Sequence, residues 1–152
     1  MRTRSSSKGF TLIELLIVVA IIGIIAAIAI PNLLNAIQRG KQKRTMSDMR
    51  SSGTAVESYK VDNGFPPVVG NGALATVQAQ VAPTYIKALP IEDGWKFGMF
   101  WVHSTAVDDY SVVSYGKDKV SDAPVLSATT DFKRDIFYAD GQFSQYPDGT
   151  QN

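Results

Sequence analysis

The sequence contains no cysteine and only one histidine among its 152 residues. Without cysteine the chain has no disulfide bond, no thiolate nucleophile and no cysteine-ligated metal site. A small domain exported to an oxidising compartment would then need packing, a metal ion or assembly for its stability. The H-E-x-x-H and G-x-S-x-G motifs are also missing, as is a glycine-rich phosphate loop. We therefore expect a protein that is not an enzyme, with His103 as a surface or turn residue at a strand end.

The chain has little net charge, +1 at pH 7, which excludes a strongly basic or acidic protein. The charges are unevenly placed: residues 39–60 carry a net +4, and residues 92–152 carry a net −5. A basic cluster lies in "QRGKQKR", residues 38–44. Such a cluster suits anionic lipid, nucleic acid, an acidic neighbour or simply a solvated helix face. Its charges are too few for us to predict nucleic-acid binding.

A long apolar segment follows the first nine residues. Leu15 to Ile30 is uninterrupted, and Phe10 to Pro31 adds only Thr11 and Glu14 as polar residues. As a helix these residues would span about 33 Å, enough to cross the hydrocarbon core of a bilayer. A carboxylate inside lipid is costly and by default indicates a function.

Three interpretations of this segment compete. A secretory signal peptide would use Ala27-Ile28-Ala29 as its cleavage site, but the apolar run is longer than such peptides have. A plain transmembrane anchor explains the length and leaves Glu14 unexplained. Cleavage after Gly9 explains both, because the new amine of Phe10 and the Glu14 carboxylate would lie at i and i+4 on one helix face. Such a pair, within or between subunits, can set the register of helix packing.

The stretch "KGFTLIELLIVVAIIGIIAAIAIP" closely resembles the N-terminal segment of type IV pilins and type II secretion pseudopilins. The resemblance implies that a prepilin peptidase cuts after Gly9, that Phe10 is then N-methylated and that Glu14 is the assembly acid. It also implies that the helix bends or melts near Pro31 in a filament. The N-terminus would lie in the cytoplasm, an orientation that charge counting does not give, because the four charges after the segment outnumber the three before it.

The helical pattern continues beyond Pro31 into a weakly apolar stripe. Its members recur at helical spacing, namely Thr45, Met49, Ser52, Val56 and Tyr59. Asn63-Gly64, followed by Phe65-Pro66-Pro67, indicates where the helix ends. After it, runs rich in β-branched and aromatic residues alternate with turn formers, and Ala139-Asp140-Gly141 predicts a hairpin turn.

We therefore predict a pilin-like α+β fold. Residues 1–9 would be the leader peptide, and residues 10–64 one long N-terminal helix with a membrane-spanning part at 10–31. Residues 65–152 would form a small C-terminal antiparallel β-sheet domain, on which the second half of the helix packs. Trp95, Trp101, Tyr110 and Phe137 are expected to be core aromatics.

The second half of the chain resembles the major pseudopilin of type II secretion systems. The similar segments are "YKVDNGFPP", "YIKALPIEDGWKFGMFW" and "DYSVVSYGKDK". The resemblance implies a calcium site in the loop after the last of these segments. Asp118 matches the family's Gly-x-Asp position, and Tyr115 would supply a carbonyl. Further candidate ligands are Asp122, Asp131 and Asp135.

This resemblance implies a subunit of a homo-oligomeric helical filament that drives protein export. Implied partners are the prepilin peptidase and N-methyltransferase, the inner-membrane assembly platform with its ATPase, and minor pilins or pseudopilins. The subunit would wait in the inner membrane with a periplasmic C-terminal domain and then enter the pseudopilus. The sequence departs from the family after Lys119, where "VSDAPVLSATT" replaces a glycine-rich stretch, and in its C-terminal end. A type IV pilin of a surface pilus, for adhesion, motility or DNA uptake, is therefore the alternative.

Overall fold

The computed structural model of the protein describes residues 9–104 and 109–151. The predicted leader therefore lies outside the described residues except for Gly9. The described chain divides into two compact units, one that ends at Ala36 and one that begins at Ile37. The helix α1 runs from Leu12 to Asn63 and contributes to both. This confirms the long helix that the sequence predicts.

The first unit is helix with an apolar surface. The mean hydropathy of its most apolar 18-residue window is 3.1, and none of that window is buried within the chain. By length and composition α1 is able to cross a membrane. Pro31 lies inside the helix.

The second unit begins with the rest of α1, whose predicted stripe faces the protein core. Thr45, Met49, Ser52 and Val56 are buried, and Tyr59 packs against the edge of the core. Full burial of side chains such as Met49 and Val56 contributes about 1.5–3 kcal/mol each. At Gly64 the chain turns left-handed, with φ of +84°. Its N–H donates to the Lys60 carbonyl at 2.8 Å, which ends the helix as the sequence predicts.

A six-stranded sheet packs against this part of the helix. The strands in chain order are β1 (Gly72–Ala73), β2 (Phe100–Ser104), β3 (Asp109–Ser114), β4 (Ala128–Thr129), β5 (Ile136–Ala139) and β6 (Gln142–Pro147). A 3₁₀ turn, Leu74–Val77, and a short helix α2, Gln78–Val81, follow β1. The order across the sheet is β1-β2-β3-β5-β6-β4. All neighbours are antiparallel except β4 and β6, which pair in parallel at the edge.

The hairpin predicted at Ala139-Asp140-Gly141 joins β5 and β6, with Ala139 as the last residue of β5 and Asp140-Gly141 as the turn. Both residues have positive φ, +44° and +84°. This conformation matches the type I′ turn that two-residue hairpins prefer. The Asp140 side chain also accepts the N–H of Tyr110 at 3.2 Å, which ties the turn to β3.

The aromatic core is mostly as predicted, whereas the prediction for His103 is wrong. Trp101 and Tyr110 are buried and stack with ring centroids 5.2 Å apart. Phe137 is only partly buried, because it faces away from Tyr138 along β5. His103 shares the inward face of β2 with Trp101, since the two are separated by two strand positions. It is therefore buried, and its Nε2 has no hydrogen-bond partner among the described residues.

The turn around Asp93 fastens the sheet unit to α1. The buried Asp93 Oδ1 accepts the N–H groups of Trp95 and Phe97 at 2.8 and 3.0 Å. The Gly94 N–H donates to Thr45 Oγ1 at 2.8 Å, and the Trp95 ring N–H donates to Gln38 Oε1 at 2.7 Å. The turn therefore lies directly against the helix, and no space remains between them for an added side-chain atom.

Gly94→Ala should destabilise the domain by about 2 kcal/mol, because overpacked sites typically cost 1–3 kcal/mol. A Cβ at this position would lie 2.3 Å from the Lys41 carbonyl oxygen, which belongs to the rigid helix backbone. Denaturant unfolding of residues 37–152, followed by tryptophan fluorescence, measures the change. Gly98→Ala is the matched control, since a Cβ there meets nothing within 4 Å. Equal unfolding free energies for the two variants would contradict the close contact.

Candidate functional site

The start of α1 is a reciprocal cap built by Thr11 and Glu14. The Glu14 Oε2 accepts the Thr11 N–H at 2.9 Å and the Thr11 hydroxyl at 2.7 Å. In return, the Glu14 N–H donates to Thr11 Oγ1 at 3.3 Å. This is a capping box, with Thr11 just before the first helical residue and Glu14 at the third position. Glu14 therefore has one local role, helix capping, in addition to the predicted role in assembly.

Gly9 and Phe10 precede the helix and are exposed. The Phe10 side chain is 79% exposed, although it is large and apolar. In this uncut chain Phe10 is outside α1, so its nitrogen and the Glu14 carboxylate are not yet one turn apart on a helix. The peptide bond after Gly9 lies in exposed backbone outside the helix, which suits a protease substrate.

An apolar surface follows the cap over the whole first unit. The large apolar side chains from Leu12 to Ile37 are all exposed within the chain, with values from 45% to 80%. Soluble monomers rarely expose so large a continuous apolar area, which indicates contact with lipid or with other chains. Pro31 lacks the N–H that would bond the Ala27 carbonyl, and Asn32 Nδ2 donates to the neighbouring Ile28 carbonyl at 3.1 Å.

The predicted calcium ligands are brought together only in part. Asp135 is fully buried, and its Oδ1 has no hydrogen-bond partner in the part of the chain that the structure describes. Its Oδ2 accepts the N–H of Asp122 at 3.0 Å. Burial raises the pKa of Asp135 to about 6, and the charges of Asp122 and Asp118 add to this. A buried carboxylate with a free oxygen and two acidic neighbours is a chemically suitable position for a cation.

The other two predicted ligands have different surroundings. Asp131 Oδ1 accepts the Lys133 N–H at 2.9 Å in its own turn. The ring of Tyr115 stacks on Phe100 with the ring centroids 4.4 Å apart. Within the described residues no three His, Asp or Glu side chains are close enough to hold a metal ion together. Arg134 would compete with a cation for the Asp122 carboxylate, since its Nη1 lies 3.5 Å from Asp122 Oδ2.

The sequence predictions missed Gln145, which holds this loop. Gln145 is fully buried on β6 and donates from Nε2 to the Asp135 carbonyl at 2.8 Å. Its Oε1 accepts the N–H groups of Val125 and Leu126 at 2.7 and 3.2 Å. Leu126 has a positive φ of +53°, so the amide stabilises a backbone that a leucine rarely adopts. The signal in the sequence was a glutamine at a position of β6 where the alternation of the strand predicts an inward-facing apolar residue.

Comparison with known proteins assigns both halves of the chain. The family model of the prokaryotic N-terminal methylation motif matches residues 4–30. The model of type II secretion system (T2SS) protein G matches residues 32–131. No solved structure matches the chain.

Curated relatives extend over most of the sequence. The type II secretion system core protein G of Escherichia coli is 31% identical over 127 residues, covering 78% of this chain and 87% of the relative. Its counterpart from Vibrio cholerae is 31% identical over 136 residues, covering 84% of this chain and 85% of the relative. The type IV major fimbrial protein FimA of Dichelobacter nodosus is 56% identical, but over 59 residues, 39% of this chain and 38% of the relative. The chain belongs to the family of type II secretion system protein G.

Proposed function

We propose that the chain is the structural subunit of a helical pseudopilus that drives protein export in a type II secretion system. The observation that carries this proposal is the exposed apolar first unit of α1, which begins with a single carboxylate, Glu14. Neighbouring copies of the same helix would cover this surface in the filament. Glu14 would meet the amine of Phe10 on an adjacent subunit and set the register.

Processing and location follow from the same features. A prepilin peptidase cuts after Gly9 and methylates Phe10, in keeping with the methylation motif over residues 4–30. The subunit then waits in the inner membrane, with its N-terminus in the cytoplasm and residues 65–152 in the periplasm. An assembly platform and its ATPase move it into the filament, together with minor pseudopilins. No step requires enzymatic chemistry from the chain itself.

A surface type IV pilus is the second candidate function, favoured by the high identity to the fimbrial relative. That similarity covers 39% of the chain, whereas the protein G model covers residues 32–131. Deletion of the gene tests both candidates. We expect the deletion strain to retain normally secreted proteins in the periplasm. Complementation with the intact gene should restore their secretion. Normal secretion with loss of surface fibres or of twitching would instead support the pilus.

We further propose that the loop around Asp135 binds calcium. Asp135 and Asp122 would be carboxylate ligands, and backbone carbonyls such as that of Tyr115 would add to the six to eight oxygens that calcium requires. Asp118 would have to move toward them on binding, because no three carboxylates of the described residues lie close enough to share an ion. The buried free oxygen of Asp135 supports this proposal. Asp131 is a further candidate only if its turn changes conformation.

Chelation should therefore lower the melting temperature of residues 37–152. An ion present at 100 times its dissociation constant stabilises the folded state by about 2.7 kcal/mol, which corresponds to several degrees for a domain of this size. Thermal unfolding with excess EDTA and with millimolar calcium measures the difference, and magnesium is the control cation. Identical melting curves, with no calcium in the purified protein by elemental analysis, would contradict the proposal.

A further inference from the structure

A groove beside the first turns of the second unit carries two cations. It has a volume of 320 Å³ and lies between α1 and the C-terminal segment after β6. Arg39 and Lys43 line it from the helix, where they lie one turn apart on the same face. Both side chains are exposed. The groove therefore presents two positive charges toward solvent.

The wall opposite these cations is fixed by Gln151. Gln151 is 3% exposed, and its Nε2 donates to the carbonyls of Thr129 and Asp148, both at 2.7 Å. The buried Gln42 donates from Nε2 to Gln151 Oε1 at 3.2 Å, which joins this wall to the helix. Gln151 thus connects Gln42 of the helix with the distant Thr129 and with its own neighbour Asp148. A wall fixed in this way before any ligand arrives lowers the entropy cost of binding.

The two cations are unpaired within the described chain, and one carboxylate shares their groove. Arg44 pairs with Asp48 at 3.5 Å, but neither Arg39 nor Lys43 forms an ion pair with any described residue. Asp148 also lines the groove, and its Oδ1 accepts the Gly149 N–H at 2.8 Å. One carboxylate against two cations leaves the groove positive. Like charges one turn apart repel each other, so an anion between them would remove a local cost.

The position of the groove along the chain indicates which anion is available. The uninterrupted apolar run ends at Ile30, and Arg39 follows nine residues later in the same helix. Nine residues correspond to about 14 Å of helix. The polar headgroup zone is about 5–8 Å deep on each side of a bilayer, and long basic side chains can reach back several ångströms toward it. Anionic headgroups attract basic residues at this distance from a membrane span.

We propose that the groove of Arg39 and Lys43 binds the phosphate of an anionic phospholipid headgroup while the subunit waits in the membrane. This inference rests on the membrane residence given under the proposed function. A headgroup phosphodiester carries one negative charge and acceptor oxygens, which suits one guanidinium and one ammonium. Entry into the filament would exchange this lipid for contacts with neighbouring subunits.

The test uses the full chain in nanodiscs of phosphatidylcholine that contain a minor fraction of phosphatidylglycerol. Native mass spectrometry after release from the nanodiscs gives the ratio of the two lipids that the protein retains. We expect the wild type to enrich phosphatidylglycerol, and Arg39→Gln/Lys43→Gln to reduce that enrichment about tenfold. Lys117→Gln/Lys133→Gln is the matched control, because it removes two cations that line a different surface groove. It should enrich phosphatidylglycerol like the wild type.

Four results would overturn the inference. Equal retention of the two lipids by the wild type would show that the groove has no preference for the anionic headgroup. An equal loss in both double variants would show a general effect of net charge. Displacement of the enriched lipid by millimolar inorganic phosphate would show a free-phosphate site. A wild type that fails to enter the nanodiscs would refute the membrane anchor and the lipid site together, which separates that failure from the others.

Discussion

Glu14→Gln is expected to abolish filament assembly while cleavage after Gly9 proceeds normally. Glutamine at the third helical position can still accept the Thr11 N–H, so the capping box is kept. The substitution removes only the negative charge. A Phe10 amine buried between apolar helices would then have no partner, and an unpaired buried charge costs about 3 kcal/mol or more. Filament yield from shearing, together with the mass of the processed subunit in membranes, measures both outcomes.

Thr11→Ala is the control that separates capping from charge pairing. It removes the hydroxyl that holds Glu14 at 2.7 Å and leaves the carboxylate in place. Loss of such a cap costs about 1 kcal/mol of helix stability. We therefore expect Thr11→Ala to assemble and Glu14→Gln to fail. The reverse pattern would mean that Glu14 acts mainly as a helix cap, and it would remove the register role from the proposed function.

The long helix and its buried stripe could be predicted because they depend on local chemistry. The apolar run and the spacing of Thr45, Met49 and Val56 specify a helix and one of its faces without knowledge of the rest of the fold. Asn63-Gly64 and Asp140-Gly141 are likewise local, since each requires a positive φ that few residues adopt. The Thr11–Glu14 cap was also readable, because T-x-x-E before an apolar run is the pattern of a capping box.

Features that depend on distant parts of the chain could not be predicted in the same way. The parallel pairing of β4 with β6 joins two residues of a loop to an edge strand, and no local pattern encodes it. The role of Gln145 depends on Asp135 and Val125 meeting it in space. The burial of His103 could have been predicted, because strand alternation places it on the same face as Trp101. Its polarity suggested exposure, and the strand's register placed it inside.

The buried carboxyl of Asp135 should make the stability of the metal-free domain depend on pH in an unusual direction. Its pKa is raised from 3.8 to about 6 in the folded chain, chiefly by burial. Between these values the folded state binds more protons than the unfolded state. The free energy of unfolding should therefore fall as pH rises through this window, by up to about 3 kcal/mol. Calcium at the free Oδ1 would offset this loss, since the cation compensates the charge that burial disfavours.

Asp135→Asn should accordingly have opposite effects in the two conditions. In EDTA at pH 7.5 we expect residues 37–152 to be stabilised by about 1 kcal/mol. A neutral amide replaces a buried charge and its oxygen still accepts the Asp122 N–H, while the amide nitrogen at the unpartnered Oδ1 position offsets part of the gain. Addition of millimolar calcium should raise the free energy of unfolding of the wild type but not that of the variant. Denaturant unfolding at pH 4 to 7.5 measures both effects.

Asp140→Asn is the matched control, since it also removes one negative charge, here at an exposed turn. It keeps the acceptor for the Tyr110 N–H, so it should change the free energy of unfolding by less than about 0.5 kcal/mol. A variant of Asp135 that is destabilised in EDTA would mean that the ionised carboxylate already has a partner in the folded chain. A variant that keeps the full calcium response would place the ion elsewhere. We expect Asp135→Asn to be more stable than the wild type in EDTA and to gain less stability from calcium. A general loss of folding would lower stability in both conditions, so it cannot produce this pattern.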